Sequence, residues 1–325
     1  MCSIFSLGME FIIRKKISRH YFYVFLSISI LILYTHIFWA YNFYQPLVFF
    51  FSSMSIAYVM SKYLVDVTFP LLLMFIMAFY FIYIVFSGQN LNDDAFTALS
   101  RNFVSICMLF SFSYVYMSRG SDAIKLFSAM ITLFVSFLAV GRSGIFSSLL
   151  IFIFLIFTHK GKWFKWALLV TVPFLVFFFW DYIEGSFDLV FNKLNNQGVT
   201  DEYRKQVLEC YFTTFDINSL FLGINSFGGD YCGTLAIGVY APHNSLLSLA
   251  SNSGVISFVL FLPLVISFKY KKLRLTAFVL SAYVLRSFTD TMMFYTFFDV
   301  FYWWFVFILL KHLKISHVQR LQFFR

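Results

Sequence analysis

Charged residues are scarce in this chain. Asp, Glu, Lys and Arg make up 12% of its 325 residues, and 61% are hydrophobic, whereas a soluble domain carries about 25% charged residues. This scarcity excludes a soluble globular domain and leaves no soluble face on which basic residues could bind nucleic acid. Nearly uncharged segments of about 18 or more residues follow one another, each long enough to cross a membrane. The composition therefore predicts an all-α polytopic membrane protein.

Metal-binding patterns are also missing. The four cysteines, Cys2, Cys107, Cys210 and Cys232, lack metal-ligand spacing, and there is neither a His/Cys cluster nor a DxD-like carboxylate pair. We therefore expect chemistry without a metal or other cofactor. Cys210 and Cys232 fall in one predicted external loop, where they either form a disulfide or remain free thiols.

About ten membrane-spanning helices are predicted, and they make residues 1–325 a single integral membrane domain. One long polar loop, 184–241, separates the seventh span from the eighth, and its stretch 201–215 is helix-like. Loops of this length between spans usually carry function. The approximate bounds of the spans are 21–40, 46–61, 69–87, 102–117, 124–141, 144–158, 166–183, 244–268, 274–291 and 293–310.

Positive charge is distributed unevenly between alternate loops. With the N-terminus in the cytoplasm, eighteen of the 24 Lys and Arg residues fall on the cytoplasmic side, in agreement with the positive-inside rule. Both termini are then cytoplasmic, and the 184–241 loop is external (periplasmic). Six basic residues remain external: Arg101, Arg142, Lys193, Arg204, Lys205 and Arg286.

Arg142 lies in the sequence Gly141-Arg142-Ser143-Gly144, between two spans. The glycines permit a tight turn or a close helix approach. A guanidinium there, with the amides of Ser143 and Gly144 at a helix start, would bind phosphate oxygens. The alternative is an interfacial arginine that reaches lipid headgroups.

The other external arginines also allow two interpretations. Arg204 and Lys205 either bind a ligand or are surface charge on a solvated amphipathic helix. Arg286 either pairs with Asp290 one turn later or joins Arg142 and Arg204 at one external site.

His243 stands between Pro242 and Asn244 at the start of a long apolar run. The positive end of a helix dipole disfavours the imidazolium, so a neutral histidine that can accept a proton fits this position. Asn244 can cap the helix or hydrogen-bond a ligand. A histidine that only caps the helix or reaches the membrane boundary is the alternative. Three arginines and a neutral histidine on one face would suit a pyrophosphate and a hydroxyl to be deprotonated.

In their order along the chain, these residues resemble the O-antigen polymerase and ligase superfamily, its Wzy-type polymerases in particular. The resemblance covers about residues 125–265 and implies a metal-independent glycosyltransferase of the GT-C type. Its substrates would be undecaprenyl-diphosphate-linked glycans on the outer face of the bacterial inner membrane, in lipopolysaccharide or capsular polysaccharide biosynthesis. The matching segments are Gly141-Arg142-Ser143-Gly144, Arg204 with Phe221-Leu222-Gly223-Ile224-Asn225-Ser226-Phe227, and Pro242-His243-Asn244-Ser245-Leu246-Leu247.

The resemblance also implies roles for individual residues. Arg142 and Arg204 would hold the donor diphosphate, and His243 would orient or deprotonate the attacking sugar hydroxyl, supported by Asn244. The remaining expected substrate-binding residues are Ser143, Lys205 and Arg286.

A repeat-unit polymerase is the leading interpretation, because the chain is short and its external loop is modest. An O-antigen ligase, which moves the finished glycan onto the lipid A core, shares the chemistry and is the first alternative. A flippase for lipid-linked oligosaccharide is the second, and it would require charged residues along a path at mid-membrane. Asp299 is the candidate inside a predicted span, and its distance from the helix after His243 argues against transport. The expected partners are lipid-linked glycans, membrane lipid and a chain-length regulator protein, with no nucleic acid.

Overall fold

The computed structural model describes most of residues 44–158 and 254–323, part of 21–33, and scattered positions elsewhere. This described part is almost entirely helical, and its one extended pairing is an isolated bridge between Asp66 and Arg119. The all-α prediction is confirmed. The α-helices are α1 (Tyr44–Lys62), α2 (Thr68–Phe86), α3 (Phe103–Met117), α4 (Asp122–Leu138), α5 (Arg142–Thr158), α6 (Leu262–Ser267), α7 (Arg274–Ser287) and α8 (Val300–Phe323). Short 3-10 helices precede α6 at Val255–Phe261 and α8 at Phe297–Asp299.

Helices α1 to α5 match the second to sixth predicted spans to within a few residues. Local signals explain this agreement. The Ser121 hydroxyl accepts a hydrogen bond from the amide of Ile124 at 3.3 Å and so caps the start of α4. Gly88, with φ of 71°, follows the end of α2 in a left-handed conformation.

Among the described residues, α2 is the one helix both long and apolar enough to cross a membrane. It has 19 residues, or roughly 28 Å at 1.5 Å per residue, close to the thickness of a bilayer core. Phe69, Phe79, Tyr83 and Phe86 are each between 66% and 70% exposed. Such an apolar surface is typical of membrane or protein contact.

In the part of the chain that the structure describes, five shorter apolar helices of 10–17 residues accompany α2. They are Leu47–Lys62, Phe103–Met117, Ser143–Thr158, Ser257–Ser267 and Val300–Leu313.

The chain divides into two compact units. The first unit comprises Met1–Leu64, Tyr203–Ser281 and Ser287–Arg325, and the second comprises Val65–Glu202 and Ala282–Arg286. The single membrane domain over residues 1–325 stays a prediction.

In the second unit, helices α2, α3 and α4 pack around an apolar core that includes Met74, Phe81, Met108 and Val135. Buried hydroxyl groups in α3, α4 and α5 donate to carbonyl oxygens four residues earlier in their own helices. Small hydroxyl side chains that are satisfied in this way allow close helix packing without an exposed polar group. These bonds join Ser113 to Leu109, Thr132 to Ser128, Ser136 to Thr132 and Ser148 to Gly144.

In the first unit, aromatic side chains join α1 to α8. Phe50 and Trp303 meet edge-to-face with ring centroids 5.2 Å apart, and Tyr58 and Phe307 do so at 5.5 Å. Each such pair contributes about 0.5–1.5 kcal/mol beyond the area that it buries. The abundance of aromatic residues therefore serves helix packing as well as the exposed surface.

Asp299 corrects one prediction. The sequence placed it inside the span 293–310, but it lies just before α8, which begins at Val300. Its Oδ2 accepts a hydrogen bond from the amide of Thr296 at 2.9 Å, and the residue is 3% exposed. The positive end of a helix stabilises a carboxylate, so this acid belongs to the start of the helix and not to its interior.

Gly254 corrects a second prediction, the continuous helix over 244–268. Gly254 has φ of 64°, in the left-handed region, and its amide donates to the carbonyl of Ala250 at 2.8 Å. Beyond it the chain forms the 3-10 helix Val255–Phe261. A glycine readily adopts this conformation, which a continuous right-handed helix excludes.

Candidate functional site

The Gly141–Gly144 segment forms the start of α5, as the sequence predicts. The helix begins at Arg142, and the amide of Ile145 donates to the carbonyl of Gly141 at 2.9 Å. Ser143 and Gly144 therefore lie in the first turn. The first amides of a helix have no acceptor within the helix, and they give its N-terminus a partial positive charge that favours anions.

Gly144 lies directly against Ser105 of α3. A Cβ at position 144 would collide with the Cβ and Oγ of Ser105, and the Cα of Ser105 would be only 3.8 Å from it. Ser105 is completely buried. The glycine thus permits a close approach of α3 to the first turn of α5.

Arg286, near the end of α7, is also completely buried. Its Nη2 donates a long hydrogen bond of 3.4 Å to the Oγ of Ser105. A buried guanidinium is costly unless it is hydrogen-bonded, and this serine supplies one acceptor. The sequence offered Asp290 as an ion-pair partner of Arg286. Asp290 lies outside the described residues.

Three residues of the second unit therefore meet as an Arg286–Ser105–Gly144 cluster. The cluster joins a buried cation to the first turn of the helix that begins at Arg142. The positive charge of Arg286 and the positive end of α5 both favour an anion such as a phosphate group. Of the predicted site residues, the structure brings together Arg286 and the segment that contains Arg142 and Ser143.

The helix that follows His243 begins as predicted. The Oδ1 of Asn244 accepts the amide of Leu246 at 2.9 Å, so Asn244 caps the helix. This is one of its two predicted roles. Ser245 is completely buried, and its Oγ accepts the amide of Met293 at 3.1 Å. The bond ties this helix start to the segment that precedes α8, within the first unit.

Several predicted site features lie outside the described residues. They are Arg204, Lys205, His243, the side chain of Arg142, the pair Cys210 and Cys232, and most of the 184–241 loop. In the predicted helix 201–215, Glu209 and Thr213 are described and helical, and the Thr213 hydroxyl donates to the Glu209 carbonyl at 2.9 Å.

Sequence reasoning missed Ser105 and Ser245. Ser105 lies in an apolar helix among other serines, and nothing in its own segment distinguishes it. Ser245 directly follows His243 and Asn244, and this position could have marked it as a candidate. The hydrogen-bond partner of Ser245, Met293, is 48 positions away and could not be identified from the sequence.

No family model, curated protein or solved structure matches this chain. The resemblance to O-antigen polymerases therefore rests on the sequence segments themselves.

Proposed function

We propose that the protein is a membrane glycosyltransferase that polymerises undecaprenyl-diphosphate-linked repeat units into O-antigen or capsular polysaccharide. The apolar composition, the order of Arg142, Arg204 and His243 along the chain, and the membrane length of α2 support this function. The observation that carries it is the Arg286–Ser105–Gly144 cluster. It puts a buried cation beside the first turn of the helix that begins at Arg142, where the function requires a diphosphate.

The donor side of the proposed reaction is cationic. Arg142 and Arg204 bind the diphosphate of the growing glycan, the helix-start amide of Ser143 adds a donor, and Lys205 adds charge. As the bond between the anomeric carbon and the diphosphate oxygen breaks, its electron pair goes to the diphosphate. Positioned cations and amides stabilise that developing charge.

The acceptor side is the start of the helix after His243. A sugar hydroxyl of the incoming lipid-linked unit attacks the anomeric carbon, and neutral His243 takes its proton. Asn244 holds the start of this helix through the hydrogen bond that its Oδ1 accepts. The step requires no metal ion.

The cellular setting is part of the proposal. We place the chain as a multi-pass protein in the bacterial inner membrane, with both termini in the cytoplasm and the 184–241 loop on the outer face. The helical length and apolarity of α2 support membrane insertion, and the uneven distribution of Lys and Arg supports the orientation. A chain-length regulator is the expected protein partner.

A flippase is less well supported. That function needs ionisable residues along a path at mid-membrane. Asp299, which the sequence offered for this role, accepts the amide of Thr296 at the start of α8. The Asp299 carboxylate therefore stabilises the start of α8, which explains its presence without a transport path.

Glycan profiling of a deletion strain tests the function. Loss of a polymerase leaves a single repeat unit on the lipid A core, whereas loss of a ligase leaves no glycan on the core. Loss of a flippase instead accumulates the cytoplasmic-leaflet intermediate. We expect the first pattern.

Complementation of that strain tests the individual residues. Arg142→Ala, Arg204→Ala and His243→Ala should each fail to restore long chains, whereas the matched control Arg274→Ala, an exposed arginine in α7, should restore them. A normal ladder from stably inserted His243→Ala protein would remove His243 as the base.

A further inference from the structure

We propose that Arg286 is a positioning residue, which acts through Ser105 on the first turn of α5 and does not touch the substrate. The inference rests on the proposed function, because the turn that it positions contains the donor-binding Arg142. It replaces the substrate contact that the sequence predicted for Arg286.

The burial of Arg286 supports an internal role. Arg286 is 0% exposed, whereas Leu285 beside it is 47% exposed and Phe288 is 48% exposed. One face of α7 is therefore exposed near its end, and the guanidinium of Arg286 lies on the buried face. Nη2 instead donates to the Oγ of Ser105, which is itself completely buried.

Ser105 transmits this contact to α5. Its Oγ accepts the hydrogen bond from Arg286, and its Cβ and Oγ occupy the space that Gly144 leaves by lacking a side chain. Gly144 follows Arg142 by two residues in the same helical turn. A shift of Ser105 therefore has to move that turn.

Small shifts at this place should matter for catalysis. A misplacement of about 1 Å at a catalytic group can cost about 100-fold in rate. We therefore expect loss of the Arg286–Ser105 hydrogen bond to lower kcat by up to about 100-fold. The donor KM should change less than about threefold, because the arginines that bind the diphosphate remain.

A double-mutant cycle separates positioning from direct binding. Ser105→Ala keeps the Cβ that contacts Gly144 and removes the hydroxyl, and Arg286→Gln removes the charge. If Arg286 acts through Ser105, the double variant will be about as slow as either single variant. Effects that multiply in the double variant would overturn the proposal.

Two further variants guard against a folding artefact. Arg286→Lys keeps a cationic donor, so its kcat should lie between those of the wild type and Arg286→Gln. In the Ser105→Ala background, Arg286→Lys and Arg286→Gln should have the same kcat. A higher kcat for Arg286→Lys than for Arg286→Gln in that background would contradict the proposal. Arg274→Gln makes the corresponding change at an exposed arginine of the same helix and should leave kcat unchanged. Amounts of inserted protein are matched by immunoblot.

A labelling experiment tests the positioning without any glycan activity. In a full chain whose four cysteines are replaced, Arg142→Cys introduces one thiol at the start of α5. Arg286→Gln and Ser105→Ala should each raise its rate of reaction with a membrane-impermeant maleimide severalfold, and by the same factor. Unchanged rates would overturn the inference. If the wild-type chain makes no glycan while the labelling rates rise together, the proposed function fails and the positioning stands.

Discussion

Gly144→Ala is the substitution that most directly probes the packing beneath the proposed donor site. The new methyl group would collide with the Cβ and Oγ of Ser105. Both atoms are close to the backbone of α3, so no side-chain rotation moves both away. Either α3 or the first turn of α5 has to shift.

The magnitude follows from two opposing effects. Overpacking of a close contact costs about 1–3 kcal/mol, whereas alanine is favoured over glycine inside a helix by about 1 kcal/mol. The net destabilisation is therefore up to about 2 kcal/mol. Ser105→Gly removes the atoms that the new methyl group would meet, but it also removes an acceptor of buried Arg286. The double variant Gly144→Ala/Ser105→Gly should therefore be compared with Ser105→Gly alone, and in that background Gly144→Ala should no longer destabilise the protein.

Thermal unfolding in detergent and glycan polymerisation should be measured on the same preparations. We expect Gly144→Ala to lower Tm by roughly 2–4 °C and to lose most activity. In the Ser105→Gly background, Gly144→Ala should no longer lower Tm, and the double variant should remain slow because it lacks the hydroxyl that contacts Arg286. Gly120→Ala is a matched control, since its Cβ would meet the Cγ2 of Val67 at 2.9 Å. It should lower stability without lowering kcat.

Two results would refute this reasoning. A Gly144→Ala protein more stable than the wild type by about the 1 kcal/mol that alanine adds to a helix would show that α3 and α5 do not meet at Ser105. Full activity in the double variant would show that the Ser105 hydroxyl is dispensable.

The remaining predictions concern the helix start at Asn244, the turn at Gly254 and a reaction that needs no metal ion. Asn244→Ala should cost about 1 kcal/mol in thermal unfolding by removing the cap, whereas Asn244→Asp should keep stability; equal losses would contradict the capping role. Gly254→Ala should cost about 1–2 kcal/mol, because its φ of 64° disfavours a side chain; an unchanged Tm would refute this. Polymerisation should continue in excess EDTA, and activity that is lost on chelation and regained with Mg²⁺ would contradict the metal-free reaction.

The bounds of α1 to α5 could be predicted because local chemistry decides them. Ser121 caps α4, and Gly88 follows the end of α2. Apolar segments between such signals leave few alternatives. The place of Asp299 could not be read in this way, because mostly apolar residues surround it. The break at Gly254 follows the polar stretch Ser251-Asn252-Ser253, a turn signal that the predicted span 244–268 passed over.

The contacts of the candidate site depend on pairs that are remote in sequence. Ser105 and Arg286 are 181 positions apart, and in sequence Ser105 resembles Ser113, whose hydroxyl donates to the carbonyl of Leu109 within its own helix. Only the packing of α3 distinguishes them. The sequence could identify Arg286 as an unusual external cation, but it could not identify the serine through which it acts.

Reconstitution of the purified chain tests the central claim most directly. The protein would be placed in phospholipid vesicles with a single undecaprenyl-diphosphate-linked repeat unit and no added metal. The proposed function predicts a ladder of longer glycans with release of undecaprenyl diphosphate. Single units that stay unchanged, or cross the bilayer without forming a glycosidic bond, would contradict it.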